Sequence, residues 1–367
     1  MSLSGGIGEE RFFSLRVVSA VQDTDLSVIL ELAPQSSDAW AFRRRPGQHL
    51  TVRRLVDGRE FRRSYAIFNP PTERMLALCV KATPGGAVSP WLAGLRVGDM
   101  VEASAPYGNF TVVPDATRRR HYIAFAGGVG VAPILSIAAH LLDAEPESRV
   151  TLVYDADDGG GIMLLEAVKA LKDRRLERFA LHIPAIGGDG GADGGVDGGG
   201  EGEEHRIRRL SRLHDFLSGG DELYLVCGPG PVVAGIRSAL LDLGVSSDAV
   251  MSEFFSAPAP AAAKEKRRSP RSRRSSGNIV YVGQERRWTC AYDPARGSIL
   301  NNLLSAGAPV SFSCKTAVCG ACRARVTAGE VDMRRSYALH PADVASGYVL
   351  LCQSFPVTDE LVVEAGE

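Results

Sequence analysis

A chain of 367 residues is long enough for two or three domains, each with its own core. Its 42 lysines and arginines against 43 aspartates and glutamates leave a formal charge of −1, which excludes a general affinity for nucleic acid or an anionic membrane surface. Met1 to Gly8 lack the cationic and apolar regions of a secretory signal. No apolar run approaches the ~18 residues of a membrane span, so the expectation is a cytoplasmic protein without membrane insertion.

Residues 9–115 read as short strands, Phe12–Val18, Leu26–Leu32, His49–Arg53, Met75–Val80 and Met100–Ala103, with turn signals between them. Short strands without a long helical period predict a small antiparallel β-barrel. Three phrases stand out in this block: Pro46-Gly47-Gln48, Arg63-Ser64-Tyr65-Ala66, and Gly85-Gly86-Ala87-Val88-Ser89-Pro90-Trp91-Leu92. In the last, Ser89 is the expected N-cap and Pro90 the first helical residue, and a helix starting after a glycine turn attracts phosphate. A lone arginine and tyrosine serve equally well as a surface charge and a core aromatic; the ordered set of three is far more informative. Cys79 and Cys290 sit in apolar, strand-like surroundings and read as core.

From residue 119 to 255 the period changes. A buried strand Tyr122–Ala126 runs into Gly127-Gly128-Val129-Gly130-Val131-Ala132-Pro133 and an amphipathic helix Ile134–Leu142. Strand, glycine turn and helix form the usual cradle for a dinucleotide phosphate. Alternation continues through Val150–Tyr154, a helix Ile162–Leu171, Phe179–Ile183, a helix Arg208–Leu217, Leu223–Cys227, a helix Val232–Leu243 and Ala249–Phe254, predicting a doubly wound parallel sheet. Asp155, Asp157 and Asp158 follow the second strand and would repel a 2′-phosphate, which favours NADH over NADPH. Cys227 ends a buried strand and serves packing equally well, although Gly228-Pro229 follows it.

Two segments break the globular pattern. Residues 187–204 interleave glycine with acidic side chains and read as a flexible insertion. Residues 256–276 pass from Ala/Pro into Lys264–Arg268 and on to Arg274: a basic linker, read first as a solvated tether and second as a docking patch for an acidic partner.

Residues 277–367 carry Cys314, Cys319 and Cys322, answered by Cys352. C-x4-C-x2-C with a distant fourth cysteine is the ligand spacing of a plant-type [2Fe–2S] cluster. Gly320 and Ala321 let the loop backbone approach the sulfurs, and a strand Tyr348–Cys352 is expected to deliver the fourth thiolate. A disulfide framework does not suit an odd cysteine count, and a structural zinc site pairs two C-x2-C knuckles where this chain has one. Ala317 stands where such loops carry glycine; a positive φ there would cost an alanine about 1 kcal/mol.

These phrases carry a resemblance. With Gly297–Asn301 before the cysteine loop and Gly347–Ser354 after it, residues 277–367 resemble an α+β, β-grasp-like [2Fe–2S] ferredoxin domain fused to a flavin reductase. Residues 9–115 and 119–255 resemble the flavin-binding barrel and the NAD-binding half of the ferredoxin–NADP reductase superfamily. The resemblance implies that Arg63 pairs with a flavin phosphate, Tyr65 packs on the isoalloxazine, and Gly86, Ala87, Val88 and Ser89 hold the pyrophosphate of FAD. Ser64 and Lys81 would be further flavin contacts. Ala66 departs from the family's serine or threonine beside flavin N5. Gly127, Gly128, Gly130, Pro133 and Asp155 would hold NADH, with Cys227, Gly228, Pro229, Glu253 and Phe255 at the nicotinamide. Tyr65, Ala66 and Cys227 would be the catalytic positions.

The domain order is similar to that of reductases of multicomponent oxygenases, including those for phenylacetyl-CoA, ketosteroids and phthalate. It implies electron flow from NADH through FAD and a [2Fe–2S] cluster to a separate oxygenase, hydroxylase or other electron-accepting protein. FMN, used by phthalate-type members, is the alternative flavin. A second reading, motivated by Ala66 and Ala317, is a slow electron-transfer or redox-sensing module with a regulatory partner.

Overall fold

In the computed structural model, residues 11–155, 161–183, 221–256, 277–283 and 285–366 are described. The chain forms two units, one of residues 13–61 and 65–258 and one built on residues 259–367.

Six N-terminal strands share one sheet: β1 (Phe12–Thr24), β2 (Ser27–Pro34), β3 (His49–Val56), β4 (Arg59–Ala66), β5 (Leu76–Lys81) and β6 (Met100–Ser104). Their order is β4-β3-β6-β1-β2-β5, and an antiparallel bridge between Ile67 and Leu78 joins the two ends into a barrel. Alternation fills it: Leu15, Val17, Leu30, Leu32, Leu50 and Val52 point inward and are buried. β4 was not among the expected strands. Half of its residues are charged, but the Asp57-Gly58 turn before it, with φ of 49° and 73°, is the two-residue hairpin turn that matches strand twist. A short helix α1 (Ser89–Ala93) follows β5.

The second sheet is parallel, in the order β11-β10-β7-β8-β9. Its elements are β7 (His121–Gly127), α2 (Val131–Ala144), β8 (Arg149–Asp155), α3 (Leu165–Arg174), β9 (Phe179–His182), β10 (Glu222–Gly228), α4 (Gly230–Asp242) and β11 (Val250–Phe254). Strand order reverses between β7 and β10, the switch point at which such sheets open a ligand crevice. α2 buries Ile134, Leu135, Ile137, Ala138, Leu141 and Leu142 against the sheet. The third helix starts at Leu165, later than expected, because Leu164 takes a φ of 55°. The Asp23 carboxylate holds it there, accepting the Leu164 N–H at 3.0 and 3.2 Å. The expected helix 208–217, the insertion 187–204, Asp157, Asp158 and linker residues 257–276 lie outside the described residues.

The second unit contains β12 (Asn278–Gly283), β13 (Arg286–Ala291), α5 (Ile299–Ser305), β14 (Arg323–Ala328), β15 (Val331–Met333), α6 (Pro341–Ala345), β16 (Tyr348–Leu350), β17 (Ser354–Pro356) and β18 (Glu360–Ala365). A five-stranded mixed sheet, β13-β12-β18-β14-β16, carries the core, with β12 and β18 parallel. Ser298 caps α5, whose Ile299, Leu300 and Leu303 are fully buried on that sheet. This is the expected α+β domain. Among the described residues no helix is long and apolar enough to cross a membrane.

Candidate flavin, nucleotide and cluster sites

The flavin candidates sit on β4 and the turn before α1. Side chains alternate along β4, so Arg63 and Tyr65 share one face while Ser64 and Ala66 share the other. Arg63 is exposed and donates to the Arg62 carbonyl at 2.7 Å; Ser64 and Tyr65 are half-buried. Ala66 is buried in one continuous cluster with Cys227. Lys81 ends β5, half-buried, opposite Ser27.

Ser89 is not the N-cap. Val88 precedes the helix without capping it, Ser89 is the first helical residue and Pro90 the second. The Ser89 hydroxyl works across the loop instead, accepting the Thr83 N–H at 3.1 Å, while Gly86 donates to the Thr83 carbonyl at 3.0 Å. Val88 and Leu92 anchor the turn in the barrel core. Arg54, which nothing in the sequence singled out, donates to the Ala87 carbonyl and stacks 5.1 Å over Trp91. A pinned turn of this kind suits a phosphate.

At the nucleotide end, β7 and β10 touch backbone to backbone. A Cβ on Gly130 would sit 2.2 Å from the Cys227 carbonyl oxygen, and one on Gly127 would sit 3.0 Å from Pro229 Cδ. Gly128 has φ +51°, and Pro133 is buried in the first turn of α2. The glycine run is therefore required by the fold, and it leaves the start of α2 free of side chains that would block a dinucleotide. Asp155 ends β8 in register with Gly127 but is buried, so its carboxylate is not an open surface charge.

Cys227 is paired in register with Glu253 on β11, and its Sγ lies 4.0 Å from Glu253 Oε2. Burial, and then the Glu253 carboxylate, push the Cys227 thiol well above the usual range, so it is a neutral thiol. Glu253 Oε1 lies 3.3 Å from Nδ1 of His49, a buried pair that no local sequence pattern announces. The His49 ring meets Tyr107 edge-on at 4.3 Å, and the Tyr107 hydroxyl reaches Thr51 Oγ1 at 2.6 Å. Phe255 returns to the same place, donating its N–H to the Gly228 carbonyl at 3.0 Å.

In the second unit the four expected cysteines come together as two neighbouring pairs, Cys314 with Cys319 and Cys322 with Cys352. Among the described residues no three His, Cys, Asp or Glu side chains converge on one ion position. Two pairs of soft donors fit two bridged irons. The loop aims N–H groups at sulfur: Thr316 donates to Cys314 Sγ at 3.3 Å and Cys314 to Cys319 Sγ at 3.5 Å. The bond with Cys319, followed by the Thr316 and Val318 backbone, brings Cys314 down to about 5. Cys319 moves up in turn.

The loop turns through three positive-φ residues, Lys315 (57°), Ala317 (70°) and Gly320 (71°). The departure at Ala317 therefore keeps the conformation that glycine would take. Cys352 does not lie on the strand as expected. β16 stops at Leu350, and a single 3₁₀ turn, Leu351–Gln353, swings the thiol toward Cys322, whose carbonyl accepts the Leu351 N–H at 3.1 Å. Cys79 is buried in the first unit and Cys290 is half-buried on β13, both as packing residues.

Residues 28–112 match the oxidoreductase FAD-binding domain, residues 125–238 the oxidoreductase NAD-binding domain, and residues 284–357 the 2Fe-2S iron-sulfur cluster binding domain. The chain is 33% identical over 355 residues to a subunit of the 1,2-phenylacetyl-CoA epoxidase of Escherichia coli, covering 96% of this chain and 97% of that one. It is 30% identical to the ferredoxin reductase component of 3-ketosteroid-9-alpha-monooxygenase of Mycobacterium tuberculosis over the full length of both. The solved structure of phthalate dioxygenase reductase superposes with a TM-score of 0.51 at 22% identity, covering 96% of this chain and 98% of that one, which speaks to the fold. An NAD(P)H-dependent oxidoreductase with all three domains, this chain belongs to the family of FAD-, NAD- and [2Fe–2S]-dependent reductases that includes the epoxidase and monooxygenase relatives.

Proposed function

We propose that this chain is the reductase component of a multicomponent oxygenase, drawing electrons from NADH and delivering them singly to a separate oxygenase or hydroxylase. The observation that carries this is the pairing of Cys314 with Cys319 and of Cys322 with Cys352, on the same chain as a glycine-lined nucleotide switch point. A flavin supplies the conversion of a two-electron donation into one-electron steps, which nicotinamide and an iron–sulfur centre cannot arrange between themselves.

The chain's own residues supply binding and order. In this reading residues 9–115 form the flavin domain, 119–255 the nucleotide domain, 256–276 the linker and 277–367 the cluster domain. Arg63 and the turn Gly86–Ser89 bind the phosphates of FAD, Tyr65 covers its ring, and Ser64, Ala66 and Lys81 complete the pocket. Gly127, Gly128, Gly130 and Pro133 admit the NADH backbone, while Cys227, Gly228, Pro229, Glu253 and Phe255 orient the nicotinamide and exclude water. NADH is favoured because the sequence places Asp157 and Asp158 just after β8, where NADP would need a cation.

An oxygenase partner is supported by the relatives' names, to which glycine betaine monooxygenase reductase subunit of Pseudomonas aeruginosa adds a third, 26% identical over 95% of this chain. None of the seven cysteines is in a disulfide, which suits the reducing cytoplasm.

Anaerobic titration with NADH, followed by absorbance and low-temperature EPR, tests the relay. Flavin bleaching with the signal of a reduced [2Fe–2S] cluster is expected. Protein made with iron and flavin supplied that binds neither would overturn the reading, and very slow NADH-driven reduction of cytochrome c would favour the sensor alternative.

A further inference from the structure

Four strand ends lie side by side at the mouth of the parallel sheet. Glu253 of β11 stands opposite Cys227 of β10, Cys227 opposite Ala126 of β7, and Gly127 of β7 opposite Asp155 of β8. Neighbouring strands are about 4.8 Å apart, so the row from β11 to β8 measures roughly 14 Å. A dinucleotide with its nicotinamide at Cys227 and its pyrophosphate over the Gly127–Gly130 turn must run on toward β8. Its adenosine half then meets the segment that leads from β8 into α3.

The described part of that segment, Gly161 to Leu164, is held from three sides. From β8 itself, the Tyr154 hydroxyl donates to the Met163 carbonyl at 2.8 Å. The other two holds come from the end of β1, in the barrel. Gly161, with φ +98°, lies so close to Thr24 that a Cβ would sit 3.2 Å from Thr24 Cβ. Asp23 accepts the Leu164 N–H with both carboxylate oxygens, at 3.0 and 3.2 Å.

Leu164 needs that hold. It is buried at the cap position of α3 with φ 55° and ψ 24°, a left-handed conformation that a leucine keeps only where its surroundings impose it. A capping-box glutamate would secure such an N–H from within the helix, but the third residue of α3 is Ala167. Asp23 does so from another domain, and it is itself fixed. The Ser27 hydroxyl donates to its Oδ2 at 2.9 Å and the Cys79 thiol at 3.6 Å. Burial, and then the Asp23 carboxylate, push that thiol up, which keeps it a donor.

We propose that Asp23, a residue of the barrel, is a positioning residue for the adenosine half of the dinucleotide. It fixes Gly161–Leu164 and the start of α3, against which that half binds, while the nicotinamide end depends on β7, β10 and β11 alone. This rests on the reading of the chain as an NADH-dependent reductase. It adds that the barrel governs nucleotide affinity from a carboxylate that touches no nucleotide.

The test uses the full chain loaded with flavin and cluster, reducing cytochrome c with either NADH or reduced nicotinamide mononucleotide, which lacks the adenosine half. Asp23→Ala should raise KM for NADH roughly tenfold, the lower end for a lost charge-assisted hydrogen bond, and leave kcat within about twofold. Its kcat/KM for the mononucleotide should match the native value. Asp23→Asn keeps an accepting oxygen and should recover most of the NADH affinity. If Asp23→Ala fails to fold, Gly161→Val lifts the same segment away from Thr24 at an exposed position and should give the same split between the two donors. An equal loss with both donors, or an unchanged KM for NADH, would overturn the positioning role and leave the reductase reading standing. A native protein that carries flavin and cluster but does not oxidise NADH would overturn that reading itself.

Discussion

Gly130 lies against Cys227 so closely that even a methyl group would sit 2.2 Å from the Cys227 carbonyl oxygen. That contact is backbone against backbone across the switch point, where neither side can move aside. Gly130→Ala should destabilise the first unit by about 1–3 kcal/mol, as overpacking does, and weaken NADH binding. Thermal unfolding and an NADH titration of the flavin-loaded protein would check both effects.

Ala317 combines a φ of 70° with a methyl that is 1% exposed. Ala317→Gly would relieve about 1 kcal/mol of left-handed strain and give up about 0.8 kcal/mol of buried methyl. The two nearly cancel, so stability should change by less than about 1 kcal/mol. Ala317→Val adds a branched Cβ where the backbone rejects one, and should cut iron content sharply, read from bound iron and visible absorbance.

Arg54 pins the turn that would receive the flavin phosphates, through the Ala87 carbonyl and the Trp91 ring. Arg54→Ala removes a charge-assisted bond of about 1.5–3 kcal/mol, so the flavin dissociation constant should rise roughly ten- to hundredfold. Flavin fluorescence on titration of the apoprotein would show it.

The Tyr122 hydroxyl donates to both oxygens of the fully buried Glu145, at 2.9 and 3.0 Å. Burial, and then Glu145, push this tyrosine up from its usual value to about 12. Its contribution to stability is whole below about pH 10, where the unfolded tyrosine begins to ionise, and is lost as pH rises toward 12. Tyr122→Phe should flatten that alkaline loss and cost about 1–3 kcal/mol at neutral pH, because Glu145 keeps its carboxylate without this donor. Urea melts from pH 8 to 12 would measure both.

Local chemistry was legible in the sequence; contacts made across the fold were not. The cysteine spacing, the glycine turn after β7 and the alternating apolar strands of the barrel each announce themselves within a dozen residues or so. β4 escaped because Arg59–Ala66 lacks an apolar stripe, although the Asp-Gly turn ahead of it was a readable hairpin signal. The late start of α3 depends on Asp23, more than a hundred residues earlier in the chain. His49 and Arg54 looked like ordinary strand residues, since Glu253 and Ala87, which give them meaning, arrive from distant segments. Ser89 misled for the opposite reason: a local rule made it a cap, and the fold used its hydroxyl elsewhere.

The Asp57-Gly58 turn stands eight residues before Ala66, about 26 Å along an extended strand, and takes no part in the proposed flavin contacts. It nevertheless decides which side chains β4 turns to each face of the barrel wall. One extra residue in that turn, unless looped out as a bulge, would rotate β4 by one position, sending Arg63 and Tyr65 to the face now held by Ser64 and Ala66 and the reverse. The length of an outlying turn is thus a parity setting for the pocket, and a chain that changed it by one would keep every pocket residue and still lose the pocket.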